Sequence, residues 1–251
     1  MIFGVSSVIA MLAVGEGASK EALDRIRKLG SNNLIVDAMK PVDETGAGTA
    51  RVQMSIYGLT YADADRLRET FPRVTRVVPV KLLREQAQIG KRTMTARAVG
   101  TSAGWFDLVQ RRLLVGRDID EQDLVRQRKV AVLTEDGARR LLATRDILGE
   151  SIRIGGVMFQ VIGVVASEEL EGSSIQSPDR HADIYIPLDV ARVRFGDIQT
   201  QLTSGSTIRE MVELHQIIVQ VASLADVEPT AHAIEAMLNR FHEKKDFQMH
   251  V

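Results

Sequence analysis

Residues 60–80 read TYADADRLRETFPRVTRVVPV, and the fold turns on how they are parsed. Thr60 and Asp63 have the spacing of a capping box, in which a hydroxyl and a carboxylate three residues on satisfy each other's backbone N–H groups. The helix they open places Leu67 and Phe71 four apart on one face, and Pro72 ends it. Val74–Val80 then reads as a strand. Upstream, Asn32–Ala38 (NNLIVDA) is a short apolar strand candidate, and the Gly/Thr/Ala stretch Glu44–Ala50 reads as a loop. The pieces form a β-α-β unit.

Residues 214–251 repeat that order. Leu214–Ser223 (LHQIIVQVAS) is rich in β-branched residues, as strands are. Asp226 and Pro229 mark a helix start. Ile234, Met237, Leu238 and Phe241 form its apolar stripe, and Asp246–Val251 (DFQMHV) alternates like a closing strand. Two β-α-β units at opposite ends of one chain can pair into a single split, ferredoxin-like α/β lobe, with everything between them inserted. The fold class expected is therefore α+β.

The middle has a different character. Lys129–Thr134 (KVAVLT) reads as a strand and Glu135–Ala143 as a short helix. In Ser151–Ala166 (SIRIGGVMFQVIGVVA), apolar residues alternate on either side of Gly155-Gly156, a two-residue hairpin turn. A polar loop, Ser167–His181, leads to the strand Asp183–Leu188, where Pro187 suggests a sheet edge or a strand end. Hairpins with little helix imply a β-rich insert over 106–211.

Composition excludes several classes of function. The chain has 251 residues, 45% hydrophobic and 26% charged, enough for a real core. With 32 Lys+Arg against 33 Asp+Glu it lacks the basic excess that nucleic-acid binding needs. No cysteine is present, which removes disulfides, thiolate chemistry and Cys-ligated zinc. Residues 1–15 (MIFGVSSVIAMLAVG) carry no charge. As a helix they span about 22 Å, short of the ~30 Å hydrocarbon core. The apolar run continues into helical spacing at Ala18, Ala22, Ile26 and Leu29 up to Gly30. The segment reads as the end of a membrane helix passing into water, or as a buried amphipathic helix.

Sites of chemistry are sparse. Gly100-Thr101-Ser102-Ala103-Gly104 matches the G-x-S-x-G nucleophile elbow, with Thr93–Val99 as strand, Trp105–Arg111 as helix, and Asp183 and His215 as triad partners. The hairpin-like segments that follow do not suit a hydrolase sheet. Gly90-Lys91 lacks the Ser/Thr of a phosphate loop, because Arg92 takes that place, and Glu85 replaces the first glycine. The histidines at 181, 215, 232, 242 and 250 make no metal-binding pair in sequence. Glu168, Glu169 and Glu171 read as an acidic hairpin tip, and Arg111-Arg112 and Lys244-Lys245 as surface charges. No catalytic, cofactor-binding or metal residue is assigned, and the chain is expected neither to bind nor to hydrolyse ATP.

Several stretches together resemble the periplasmic core domain of MacB-like ABC-transporter permeases. In order they are GVSSVIAMLAVGEGASKEALDRIRKLGSNNLIV (4–36), VTRVVPV (74–80), GTSAGWFDLVQRRLLVGRDIDEQD (100–123), KVAVLTEDGARRLL (129–142), DILGESIRIGGVMFQVIGVV (146–165) and DIYIPL (183–188). The resemblance implies a non-catalytic domain outside the cytoplasmic membrane, between the first two of four transmembrane helices. It implies residues 1–30 as the tail of the first such helix and a stalk helix. A Porter-like lobe would take 31–105 and 212–251, and a Sabre-like β-rich lobe 106–211. It places Ser102 in a lobe-connecting strand and turn. The implied function is transmission of ATP-driven motion of the membrane helices to periplasmic partners during export. Those partners would be a nucleotide-binding ATPase domain or subunit, a second permease copy and, in a Gram-negative cell, a periplasmic adaptor protein and outer-membrane duct. The alternatives are a ligand-sensing extracytoplasmic domain of a membrane receptor and a serine hydrolase using Ser102.

Overall fold

The computed structural model describes residues 32–41, 52–109, 111–141, 147–167, 182–203 and 206–250. Outside these fall the apolar amino-terminal segment with its helix to Gly30, the loop Glu44–Ala50, the acidic residues Glu168, Glu169 and Glu171, and His181. In chain order the elements are β1 (Asn33–Ala38), β2 (Val52–Ile56), α1 (Tyr61–Thr70), β3 (Val74–Ile89), β4 (Arg92–Thr101), α2 (Trp105–Leu108), β5 (Leu113–Gly116) and α3 (Glu121–Val125). There follow β6 (Val130–Thr134), α4 (Glu135–Leu141), β7 (Ser151–Ile154), β8 (Val157–Val165), β9 (Ile184–Pro187) and α5 (Leu188–Phe195). The chain closes with β10 (Ile198–Thr203), β11 (Ser206–Met211), β12 (Gln216–Val221), α6 (Val227–Phe241) and β13 (Phe247–His250). The class is mixed α+β.

One large sheet runs β13-β1-β12-β3-β4-β9-β6-β8-β5, with β7 bonded to β3 and β8 off that path. Its first four strands come from the two chain ends. β1 is antiparallel to β13 and β12, and β12 to β3. In order of appearance these strands lie 4-1-3-2, the expected split β-α-β arrangement. α1 begins at the Thr60–Asp63 capping box, both reciprocal bonds being present. Leu67, Ile234 and Leu238 bury against Leu34, Val36, Ile217 and Val219. Ile35, Val78, Val80 and Ile218 point to the opposite face, against Trp105, Phe106 and Tyr185. These strands therefore bury both faces, so they read as continuous apolar runs instead of alternating ones.

The rest of the sheet packs around Leu83, Leu133, Ile152, Ile154, Phe159 and Ile184. The β7–β8 hairpin turns on Gly155 and Gly156 at φ +51° and +87°. Positive φ at both central residues is what the tight hairpin turn demands.

Three expectations need adjustment. β9 lies between β4 and β6, so Pro187 marks a strand end and not an edge. The helix after Gly104 is one turn, Trp105–Leu108, in place of Trp105–Arg111. Arg111 is buried, its guanidinium 5.8 Å from the Tyr185 ring centroid, whereas surface exposure was expected. A second sheet, β10-β11-β2, has no ladder to the large one.

Candidate functional site: a polar joint on the long strand

Ser102 follows the end of β4, but its supposed partners are engaged elsewhere. Asp183 accepts the Arg97 N–H at 2.9 Å and pairs with Arg140. Arg97 is five residues back along an extended strand, about 16 Å from Ser102. His215 Nδ1 accepts the Leu82 N–H at 3.2 Å, in a ring held neutral because burial, then Lys81, lowers its pKa to about 4. The three groups do not converge. Gly90-Lys91 is the two-residue turn of the β3–β4 hairpin, Ile89 pairing with Arg92. No group of metal-binding side chains occurs among the described residues.

A dense polar constellation that joins distant segments lies on β3. Sixteen residues of strand span about 50 Å. Up to Val80 its partner is β12; from Lys81 onward its partner is β4. Lys81 stands at the change-over, its side chain only 1% exposed. Its ammonium donates to Asp197 Oδ1 at 2.6 Å, Glu213 O at 3.0 Å and Val212 O at 3.3 Å. All three N–H donors of the lysine are thereby used. Burial pushes its pKa below the ordinary lysine value, and the Asp197 contact pulls it partway back.

The joint is closed from several sides. The Tyr61 hydroxyl donates to Asp197 at 3.1 Å, and its backbone N–H donates to Glu213 at 2.8 Å. The Arg192 guanidinium of α5 lies 4.1 Å over the Tyr61 ring. Burial, then Asp197, pushes the Tyr61 hydroxyl pKa well up, so it stays a donor. Gln199 of β10 donates to Leu82 O at 3.0 Å. Gly100, paired with Lys81, lets α5 lie directly on β4: a Cβ there would sit 2.7 Å from Ala191 Cβ. Sequence reading missed Lys81, Tyr61, Asp197 and Arg192. The signal available was a single charge interrupting the apolar run Val77–Leu83.

A second cluster ties the closing strand down. His242 places Nε2 3.1 Å from Asp63 and Nδ1 2.7 Å from Asp246, and Asp246 accepts the Gly58 N–H at 2.9 Å. The first and last described strands meet at one end of the sheet, where β1 begins and β13 finishes. Ile35, near the start of β1, pairs with His250, the last residue of β13. Asn32 donates to Val221 O at 2.7 Å at that same end. β3 begins beside them and runs away from them. Among the described residues no helix is long and apolar enough to cross a membrane.

The profile described as the MacB-like periplasmic core domain matches residues 1–237. The macrolide export ATP-binding/permease protein MacB of Aggregatibacter actinomycetemcomitans is 25% identical over 249 residues, 98% of this chain and 35% of the relative. The pyoverdine export ATP-binding/permease protein PvdT of Pseudomonas fluorescens is 26% identical over 254 residues, 99% of this chain and 34% of the relative. The chain thus spans about a third of the curated relatives it matches. Among solved structures, the periplasmic region of MacB from Actinobacillus actinomycetemcomitans superposes with a TM-score of 0.67 at 22% identity, covering 92% of this chain and 93% of that one. The extracellular domain of the noncanonic ABC-type transporter YknZ from Gram-positive bacteria gives 0.62 at 20% identity, over 88% of this chain and 100% of that one.

Proposed function

The chain belongs to the MacB-like periplasmic core domain family, and from that premise we propose that it relays ATP-driven motion of membrane helices to partners outside the cytoplasmic membrane. The observation that carries this reading is the placement of the chain ends. Both leave one end of the sheet, while β3 runs unbroken from that end into the far half. Segments attached there would impose their relative movement on the four-stranded half, and β3 would carry it outward as a stiff rod. Rigid-body motion of this kind needs packed connections and no reacting group.

The chain-end lobe is proposed to comprise 31–105 and 212–251 and the inserted lobe 106–211, with β3 and β4 reaching across. Residues 1–30 would be the tail of the first membrane helix and the stalk helix that follows it. The ATPase would be a separate domain or subunit, and the permease would act as a pair of copies. The relatives are named for macrolide and pyoverdine export; export of a cargo, through an adaptor and an outer-membrane duct where there is an outer membrane, is the extension of this proposal.

The test uses the full-length transporter. The chain has no native cysteine, so Lys91→Cys in the β3–β4 turn labels this domain at one site. Crosslinking between Lys91→Cys in the two copies should differ between ATP-bound and nucleotide-free states. Identical crosslinking in both, with export intact, would reject the relay in favour of a passive binding module.

A further inference from the structure

The small sheet β10-β11-β2 shares no ladder with the large one. Where it meets the long strand its attachment is through side chains. Lys81 reaches Asp197 and the Val212 and Glu213 carbonyls, and Gln199 reaches Leu82 O. Further along, Lys40, just after β1, pairs with Glu210 at 2.8 Å. Of these charged tethers only Lys81 is sealed from water.

A sealed ammonium is a poor way to add stability. Taking the ammonium out of water costs about what its attraction to the carboxylate returns, and an apolar pair of similar volume is often as stable or more so. What an apolar pair cannot supply is direction. The Lys81 ammonium holds the start of β10 and the 212–213 segment at a single atom, at the residue where β3 exchanges β12 for β4. A shift of β3 is therefore felt at once by the small sheet. Best attested for buried polar groups is this setting of register.

We propose that the Lys81–Asp197 pair is a latch that makes the small sheet ride on β3, so that Lys81 is a positioning residue of the relay and not chiefly a stabilising one. This rests on the relay reading above.

The experiment uses full-length transporter in a cysteine-free background, with spin labels on Lys91→Cys and Arg209→Cys. Within one chain the Lys91–Arg209 distance should be narrow and the same with and without ATP. Asp197→Asn, and the double apolar variant Lys81→Met with Asp197→Leu, should broaden it. Amides of β10 and β11 should then exchange about tenfold faster. Melting of the double variant should lie above that of Lys81→Met alone, which strands Asp197 in addition to the Val212 and Glu213 carbonyls. Unchanged distance widths in both unlatched variants would overturn the latch, as would a double variant that melts as low as the single one. The same Lys91→Cys label, read between the two copies, separates the two ideas. A parent protein blind to nucleotide sinks the relay, while a responsive parent with unbroadened variants sinks only the latch.

Discussion

Acidification from about pH 7 to about pH 5 sets two partly buried groups of this chain against each other. His215 has its pKa lowered from 6.5 to about 4, first by burial and then by Lys81. Asp118 has its pKa raised from 3.8 to about 6, again first by burial, with Asp107 adding to it and the Ile119 N–H opposing. A depressed pKa in the fold means the unfolded chain takes up the proton first. The stability His215 contributes is present above 6.5 and is lost as pH falls toward 4. A raised pKa works the other way, so Asp118 favours the fold below 3.8 and loses that contribution as pH rises through 6. Between about pH 7 and about pH 5 His215 removes about 2 kcal/mol, since one proton bound more by one state than the other is worth roughly 1.4 kcal/mol for each pH unit crossed; Asp118 returns less than about 1 kcal/mol, because water reaches its carboxyl and screens it. Trp105, the one tryptophan and fully buried, reports unfolding. Urea titrations by its fluorescence should show His215→Gln losing about 2 kcal/mol less than the parent on acidification, and Asp118→Asn losing more than the parent, by less than about 1 kcal/mol. Parallel pH profiles for parent and both variants would refute the reasoning, because they would mean neither group changes its proton affinity on folding.

Four other outcomes follow from single positions. Gly137→Ala would set a Cβ 2.3 Å from the Asp183 carbonyl oxygen, backbone against backbone, and should cost about 2–3 kcal/mol in a thermal or urea melt. Gly100→Ala would push α5 off the joint by its contact with Ala191 Cβ, costing about 1–3 kcal/mol and loosening the amides of α5 in hydrogen exchange. Thr60→Ala removes the α1 cap, worth about 1 kcal/mol. A fluorophosphonate probe should leave Ser102 unlabelled and calorimetry should show no binding of Mg-ATP; either signal would reopen an enzymatic reading.

Where local chemistry decides an element, the sequence displays it. The Thr60–Asp63 box and the Gly155-Gly156 turn each rest on contacts a few residues apart. β10 and β11 escaped because IQTQLT and STIREM have little apolar content, and β2 because VQMSI, although it alternates, is short and finds its partner β11 about 150 positions away. β3 was cut short at Val80 because KLLREQAQI looks polar, although its alternate residues Leu83 and Ala87 are buried. The joint was hidden for the same reason. Nothing near Lys81 announces that a lysine will be sealed from water, since its carboxylate is 116 positions away. Phe241 shows the converse: it sits on the predicted stripe yet is half exposed, with the Arg66 guanidinium 4.1 Å above its ring.

The path of β3 limits where this domain can bend. Its near half is laddered to β12 and its far half to β4, and β7 pairs with it again at Ala87 and Gln88. Flexing it would break ladder bonds whose buried N–H and C=O groups have no other partner, a cost of about 1–3 kcal/mol for each group left unpaired. Compliance must therefore lie off the strand, in attachments made by side chains alone. Among the described residues the small sheet is hydrogen-bonded to the large one in that way, through Lys81, Gln199 and Lys40, besides the chain itself, which runs from β11 into β12. A charge buried at the crossing is costly as a stabiliser and well suited as a coupling, because its bonds are short, directional and lost together when β3 and the small sheet part. On this argument a variant that keeps the fold but frees the small sheet should leave β3 as stiff as before, with its own amides exchanging at the parental rate; faster exchange along β3 would place the compliance in the strand and contradict the argument.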